Sequence, residues 1–543
     1  MDLCSIDSKD IAHPSAADLV VSHLCRGKAR FIDFLEDLQT EGTSFYAPIK
    51  KNKVDFFKQE VQASGTSKQK ELKEDCQLFA KLFISCQNRE CDLQAFFRHE
   101  NQQFPAALSD GGKLHACQKS QLITILESII AVPDTEPETD TVIIDGSCLI
   151  NALPPRSSRT FEEYAKLDFL PAIHTYSMKY QRVDIVFDVY RPFSLKAETR
   201  LKRGEGNRRK VTSNGRIPSN WHNFLRHNEN KTELFNFLAN KVSEMSTSSK
   251  VFVTFGENIL NNVVDLKGIA PCKHEEADTR MFVHAKHGKE EGSKCILVKA
   301  NDTDVIVIGI DAFQVLNKIG LQQLWVTYGQ GKTLRWIPIH DLYSSLGQQR
   351  SKAILFFHAF TGCDVTSGFR GKGKRTAWQT WDVFPEASEV FQNLSQSQPI
   401  MTDSDLKILE RFVVIMYDKS CSAESVDDAR MELIVRKQRA YQSIPPTKAA
   451  FIQHIKRASY QAGCIWSQST IRQPEPESPS DWGWTHNGDS WQVFWTTLSP
   501  IAENCRQLTK CGCKSGCKGR CKCYKFGLNC TALCSCSCDD QMT

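Results

Sequence analysis

Apolar and polar positions follow three patterns along this chain. Up to about residue 138 the apolar residues recur at helical spacing, as in "ARFIDFLEDLQ" and "CQLFAKLFISCQ", which predicts a mainly helical N-terminal region over 1–138. No catalytic constellation stands out there. "VPDTEPETD" reads as a linker, because its proline and acids leave nothing to bury. From Thr141 the pattern becomes short apolar runs that each end in an acid: "TVIIDGSCLINAL", "RVDIVFDVY" and "KCILVKANDTD". Helical spacing returns over 391–470 in "DLKILERFVVIMYD" and "AAFIQHIKRASYQAG", and "RQPEPESPSD" forms a second linker. Half of the ten tryptophans fall between Trp466 and Trp495, which predicts a small packed subdomain within a helical, tryptophan-rich extension over 391–500.

Continuous apolar runs that alternate with helices predict an α/β fold with a parallel sheet, its strands buried on both faces. The 543 residues exceed one hydrophobic core, so several domains are expected. Hydrophobic residues at 41% and charged residues at 24% are ordinary for a globular protein. No apolar stretch reaches the roughly 18 residues that span a bilayer. The opening "MDLCSIDSKDIAH" lacks the basic and apolar regions of a secretory signal. An intracellular protein without a membrane segment is therefore expected. The net charge of +5 is small for this length; its distribution is more informative.

In a parallel sheet, ligands bind at the carboxyl ends of the strands. Asp145, Asp188 and Asp302 stand at or just past such ends, and Asp304 follows closely. In "HEEADTRMFVHA", Glu275, Glu276 and Asp278 crowd the start of a helix. One such acid commonly caps a helix. Several on one sheet edge repel one another unless a cation neutralises them. Mg²⁺ or Mn²⁺, which prefer oxygen ligands, would do so. Two ions about 4 Å apart support phosphodiester cleavage.

The segment 141–385 resembles the flap endonuclease branch of the PIN-like nucleases. "VIIDGSCLINAL" is similar to that family's first strand, with Asp145 as its acid. "VFDVYRPFSLKAETRLKRGEGNRR" is similar to its second strand and basic helix, with Asp188 as the acid. Lys196 and Arg203, seven positions apart, match its phosphate-steering lysine and arginine. "HEEADTRMFVHAKHG" resembles its paired-glutamate helix; Glu276 matches the second glutamate, and the sequence departs at His274, where the first usually stands. His274, Glu275 and Asp278 are possible additional ligands. "ANDTDVIVIG" supplies Asp302 and Asp304. "FTGCDVTSGFRGKGKRTAW" resembles a turn with a last acid, Asp364, leading into a helix-hairpin-helix over 362–381. The resemblance implies a PIN-like sheet flanked by helices. It also implies a two-ion site of Asp145, Asp188, Glu276, Asp302, Asp304 and Asp364, and a hairpin, Arg370, Gly371, Lys372, Gly373, Lys374 and Arg375, that grips duplex backbone. The order of the blocks is specific, although they cover under half of the chain.

Basic residues support a nucleic-acid partner. "RPFSLKAETRLKRGEGNRRK" carries eight basic residues against two acids, and "RGKGKR" four basics with two glycines. The 22 cysteines are unevenly placed: thirteen are scattered, and nine (Cys511, Cys513, Cys517, Cys521, Cys523, Cys530, Cys534, Cys536 and Cys538) fall in one tail. An odd number cannot all pair as disulfides. Thiolates at this density suit Zn²⁺, and nine suffice for three four-coordinate ions if three bridge. Residues 505–540 resemble the tesmin-like CXC domain, which binds DNA, with "CSCSC" tighter than its usual end. Lys514, Lys518, Arg520, Lys522 and Lys525 are interleaved there and could meet phosphate.

The expectation is a nuclear, metal-dependent nuclease with two Mg²⁺ or Mn²⁺, about three Zn²⁺ in the tail, and DNA favoured over RNA. Its substrates would be structured DNA such as flaps, branches or free ends. Two rival readings are an inactive PIN-like scaffold that binds DNA or chromatin through its tail, and an RNA-cleaving PIN nuclease. The whole chain also resembles a many-copy animal family of poorly characterised proteins with this domain order, which suggests a mobile-element origin.

Overall fold

The computed structural model describes residues 14–40 and 93–499, apart from 192, 202–205, 263–265, 267, 438, 440, 489 and a few side chains, together with positions 11, 513, 534 and 535. Arg203 and most of the cysteine tail therefore lie outside the described residues, as does "CQLFAKLFISCQ".

The described chain opens with α1 (Pro14–Thr40) and, after the break, α2 (Ser120–Glu127). The sheet begins with β1 (Thr141–Asp145), followed by α3 (Gly146–Ala152) and β2 (Arg182–Val186). Next come α4 (Leu195–Leu201), α5 (Asn228–Ser243), β3 (Lys250–Phe255) and β4 (Asn258–Asn261). Then follow α6 (Ala277–Glu290), β5 (Cys295–Lys299), α7 (Thr303–Lys318), β6 (Gln323–Tyr328) and β7 (Arg335–Pro338). The long α8 (Ile339–Phe360) and α9 (Lys374–Val383) lead into the C-terminal helices.

The seven strands form one sheet in the order β4-β3-β2-β1-β5-β6-β7. The five inner strands pair in parallel, and both edges close with an antiparallel strand. The fold is thus mixed α/β, with a mostly parallel sheet flanked by helices. From β1 the chain steps outward through β2 and β3, then crosses back to β5 on the other side of β1. The order reverses between β1 and β5, and a crevice opens there at the carboxyl ends of the strands.

Strand side chains alternate between two packed layers, as a strand's two-residue period requires. Ile143, Ile296 and Val298 enter one core, whereas Val142, Ile144 and Leu297 enter the other. Complete burial of each such side chain contributes roughly 1.5–3 kcal/mol. Residues 93–127 and the helices Asp403–Tyr417 and Lys448–Ser459 share the first core: Phe96, Leu122, Phe412 and Phe451 all pack into it.

A buried ionic group sits inside β2. Asp184 takes two hydrogen bonds from Arg182, at 2.6 and 2.8 Å, and meets His284 Nδ1 at 2.7 Å. Arg182, together with the hydrogen bond from His284, outweighs burial and holds Asp184 down at about 2. Burial pushes His284 down to about 4, and burial with neighbouring Arg457 pushes His454 down to about 3. Both imidazoles are then neutral in the fold near pH 6.5, where the unfolded chain's histidines begin to protonate. A group with a lowered folded pKa contributes stability above its unfolded pKa and loses it as the pH falls. We expect a His454→Gln variant, which lacks that titration, to lose less stability than the wild type between pH 6.5 and about 4. Thermal unfolding across that range, read as the difference between the two proteins, checks this; a constant difference would refute it.

Candidate active site

The carboxylates come together because each ends a strand, opens a helix or follows α8. Asp145 is the last residue of β1 and the N-cap of α3, where its Oδ1 accepts N–H groups of Ser147 at 2.8 Å and Cys148 at 3.1 Å. Asp188 lies just past β2. Its Oδ1 accepts the Ala277 N–H at the start of α6, and its Oδ2 accepts the hydroxyls of Ser147 and Tyr190. Glu276 and Asp278 open α6; Asp302 caps α7 through the Asp304 N–H at 3.0 Å, and Asp304 stands in that helix's first turn. Asp364 sits in the turn after α8. Three helix N-termini therefore face the crevice, and their partial positive charge favours anions there.

Oxygen atoms of Asp278, Asp302 and Asp304 lie within 4.8 Å of one another. Neighbouring carboxylates and burial set the proton affinities. Burial, with Asp188 beside it, pushes Asp145 up to about 7. Burial, then Asp302 and Glu276, drive Asp278 well above the usual carboxylate range. Burial raises Glu276 and Asp302 as well, against the pull of Lys196 and Lys119 respectively. Asp304 goes the other way: burial would raise it, but Lys119 and His358 hold it below the usual range. Such mutual repulsion is what a hard divalent cation relieves, and the donor set is all carboxylate oxygen, which suits Mg²⁺ or Mn²⁺.

Two lysines enter this cluster. Lys196 from α4 pairs with Glu276 at 2.6 Å and reaches to 3.8 Å from Asp364. Lys119, at the start of α2, lies 2.7 Å from Asp364, 2.9 Å from Asp304 and 3.5 Å from Asp302. Asp304's other oxygen meets His358 Nε2 at 2.8 Å. Lys119 and His358 were not singled out from the sequence. Neither sits in a motif: Lys119 begins an ordinary amphipathic helix, and His358 lies inside an apolar one.

Three expectations change. His274 does not stand with the carboxylates: its Nε2 meets the Ile471 carbonyl at 2.7 Å, and burial lowers its pKa to about 4. Asp278, two residues beyond Glu276, stands instead with Asp302 and Asp304. Glu275 is an internal strut, bound to Arg200 and to Ser194 Oγ, and so it ties α4 to α6. The basic hairpin is also partly turned inward. Lys374 is fully buried, and its Nζ donates to the His358 carbonyl and to Thr361 Oγ1, both at 2.9 Å. Lys372 Nζ donates to the Tyr417 carbonyl at 3.1 Å. The carbonyls at the C-terminal end of α8 attract that ammonium group more strongly than a distant phosphate can. Arg370 is half-buried, and Arg375 is exposed. Of the nine tail cysteines, only Cys513 and Cys534 are among the described residues.

Cavities flank the cluster on two sides. One, of about 570 Å³, is lined by Ser147, Asp188, Tyr190, Arg200, Arg226 and Lys231 among others. The other, of about 410 Å³, runs from Lys196 and Glu276 past Phe193, Tyr460 and Trp491. Trp491 Nε1 donates to the Phe193 carbonyl at 2.9 Å, and so the hairpin over 484–493 closes over α4.

No family model matches the chain, and no curated protein matches it significantly. Among solved structures it is similar to the catalytic core of Rad2 in complex with a DNA substrate. The identity is 14% over 59% of this chain and 92% of that one, with a TM-score of 0.28. An overlay that loose transfers no residue roles.

The turn that carries Asp364 depends on Gly362, whose φ is +106°. A Cβ there would lie 2.8 Å from the Gly368 backbone and 2.9 Å from Cys117 Sγ. We expect Gly362→Ala to cost about 1–3 kcal/mol, measured by chemical denaturation. An unchanged midpoint would show that the turn adapts.

Proposed function

We propose that this protein hydrolyses phosphodiester bonds in nucleic acid, with divalent metal held by Asp145, Asp188, Glu276, Asp278, Asp302, Asp304 and Asp364. The observation that supports this reading most directly is the convergence of those carboxylates at the sheet's switch point, with Asp278, Asp302 and Asp304 in mutual reach of one ion. Bound Mg²⁺ or Mn²⁺ would supply an activated water and neutralise charge on the phosphate. Lys196 would hold a phosphate oxygen near the reacting centre. Arg200, Arg226 and Lys231 line the adjoining cavity and would draw in the rest of the backbone. DNA is the favoured substrate on the strength of the cysteine-lysine tail, with a nuclear setting to match; the inward-facing Lys372 and Lys374 give that preference no support.

A second reading has one observation in its favour. Lys119 already neutralises Asp304 and Asp364, which is the arrangement expected of a scaffold that binds nucleic acid without cutting it.

Labelled flap, nicked, hairpin and single-stranded DNA, and RNA, incubated with Mg²⁺ or Mn²⁺, separate the two. We expect wild-type protein to cut at least one DNA form, and an Asp302→Asn/Asp304→Asn variant to cut none. Binding without cleavage in either metal would favour the scaffold. Elemental analysis of protein purified without chelator should return about three zinc ions per chain; a value near zero would remove the zinc tail.

A further inference from the structure

Lys119 is an unusual neighbour for a metal site. It belongs to α2, which precedes the sheet, yet its ammonium group sits among three carboxylates from two other places in the fold. Asp364 Oδ1 is 2.7 Å away, Asp304 Oδ2 2.9 Å and Asp302 Oδ1 3.5 Å. Asp302 and Asp304 open α7, and Asp364 follows α8. The helix that carries Lys119 is anchored by Leu122, Ile123 and Leu126 in the first core, and only 18% of the lysine side chain is exposed. The side chain is thus held in place rather than swinging through solvent.

The contacts divide the site into two ends. At the Asp304–Asp364 end, ligand oxygens are already engaged: Asp304 gives one to His358 and the other to Lys119, and Asp364 gives one to Lys119. A cation that bound Asp304 through the same oxygen would have to displace the lysine. The other end, around Asp278 and Asp302 and within reach of an Asp304 oxygen, receives among the described residues no ammonium group closer than the 3.5 Å contact to Asp302. Lys196 serves Glu276 instead.

We infer that Lys119 takes the place of one of two divalent ions, so that the carboxylate site holds a single ion on its Asp278–Asp302 side. Lys119 Nζ is then the fixed positive charge at the Asp304–Asp364 end, where it would face the same phosphate as Lys196, whose Nζ lies 3.8 Å from Asp364. This rests on the nuclease reading above. It changes the expected requirement: one ion per site, with dependence on metal concentration of first order, where a two-ion centre needs both sites filled.

The test is a count of bound Mn²⁺ on the full-length, zinc-saturated protein, from the free Mn²⁺ signal in electron paramagnetic resonance. We expect one Mn²⁺ in the wild type and one in Lys119→Arg, which keeps the charge. Lys119→Met should bind two, and the second should be lost again in Lys119→Met/Asp364→Asn. The tail is common to all four proteins and cancels in the comparison. Lys119→Gln, which is also uncharged, replaces Lys119→Met if the latter does not unfold cooperatively. Two ions in the wild type, or one in the uncharged variants, would overturn the inference. If the wild type bound two and also cut nucleic acid, the nuclease reading would stand and only the role of Lys119 would fall. No bound Mn²⁺ and no cleavage in any variant would remove both.

Discussion

Repulsion among crowded carboxylates governs this structure. Seven acids from both flanks of β1 gather where the strand order reverses, Asp304 buried and the others half-buried, so that water screens them only in part. The fold opposes that repulsion with three helix N-termini, with local N–H and hydroxyl donors on Asp145, Asp188 and Asp302, and with two lysines. The compensation is uneven. Asp304 is held low, whereas Asp145 and Asp278 remain pushed up. That unevenness marks where positive charge from outside the chain is most needed.

The elements around the cluster serve it in different ways. The sheet brings Asp145 and Asp302 to adjacent strand ends. Glu275 binds Arg200, and so the basic helix α4 stays against α6 and Lys196 stays on Glu276. Lys374, buried beneath α8, ties the N-terminus of α9 to the end of the helix that carries His358. A positive charge expected on the surface instead braces the floor of the site. The segments before and after the sheet complete its first core: α2 delivers Lys119, and the hairpin over 484–493 lies against Phe193 at the mouth.

Much of the site was legible in the sequence because its acids follow local rules. An apolar run that ends in an acid and then turns helical places that acid at a strand's carboxyl end, and Asp145, Asp188, Asp302 and Asp304 all follow this pattern. The N-terminal turn of α6 was legible only as a crowd of acids. Which of them face the crevice depends on where the helix begins. The backbone of Glu276 is extended and the helix starts at Ala277, so Asp278 turns towards Asp302 while His274 turns to Ile471. Four positions separate the acid that faces Asp302 from the packed imidazole, and no spacing rule decides which is which.

By itself the sequence determined the α/β class, the strands and their terminal acids, since these depend on short-range periodicity and on the continuous apolar runs of a doubly covered sheet. It also placed nine cysteines in one short stretch near the C-terminus. Only the tertiary structure decided which charges neutralise which. Lys119 stands 185 positions from Asp304 and 245 from Asp364; Lys374 and His358 meet through the turn between two helices. Pairing of that kind arises when helices pack into one core, and side-chain charge carries no record along the chain of which distant carboxylate it will find.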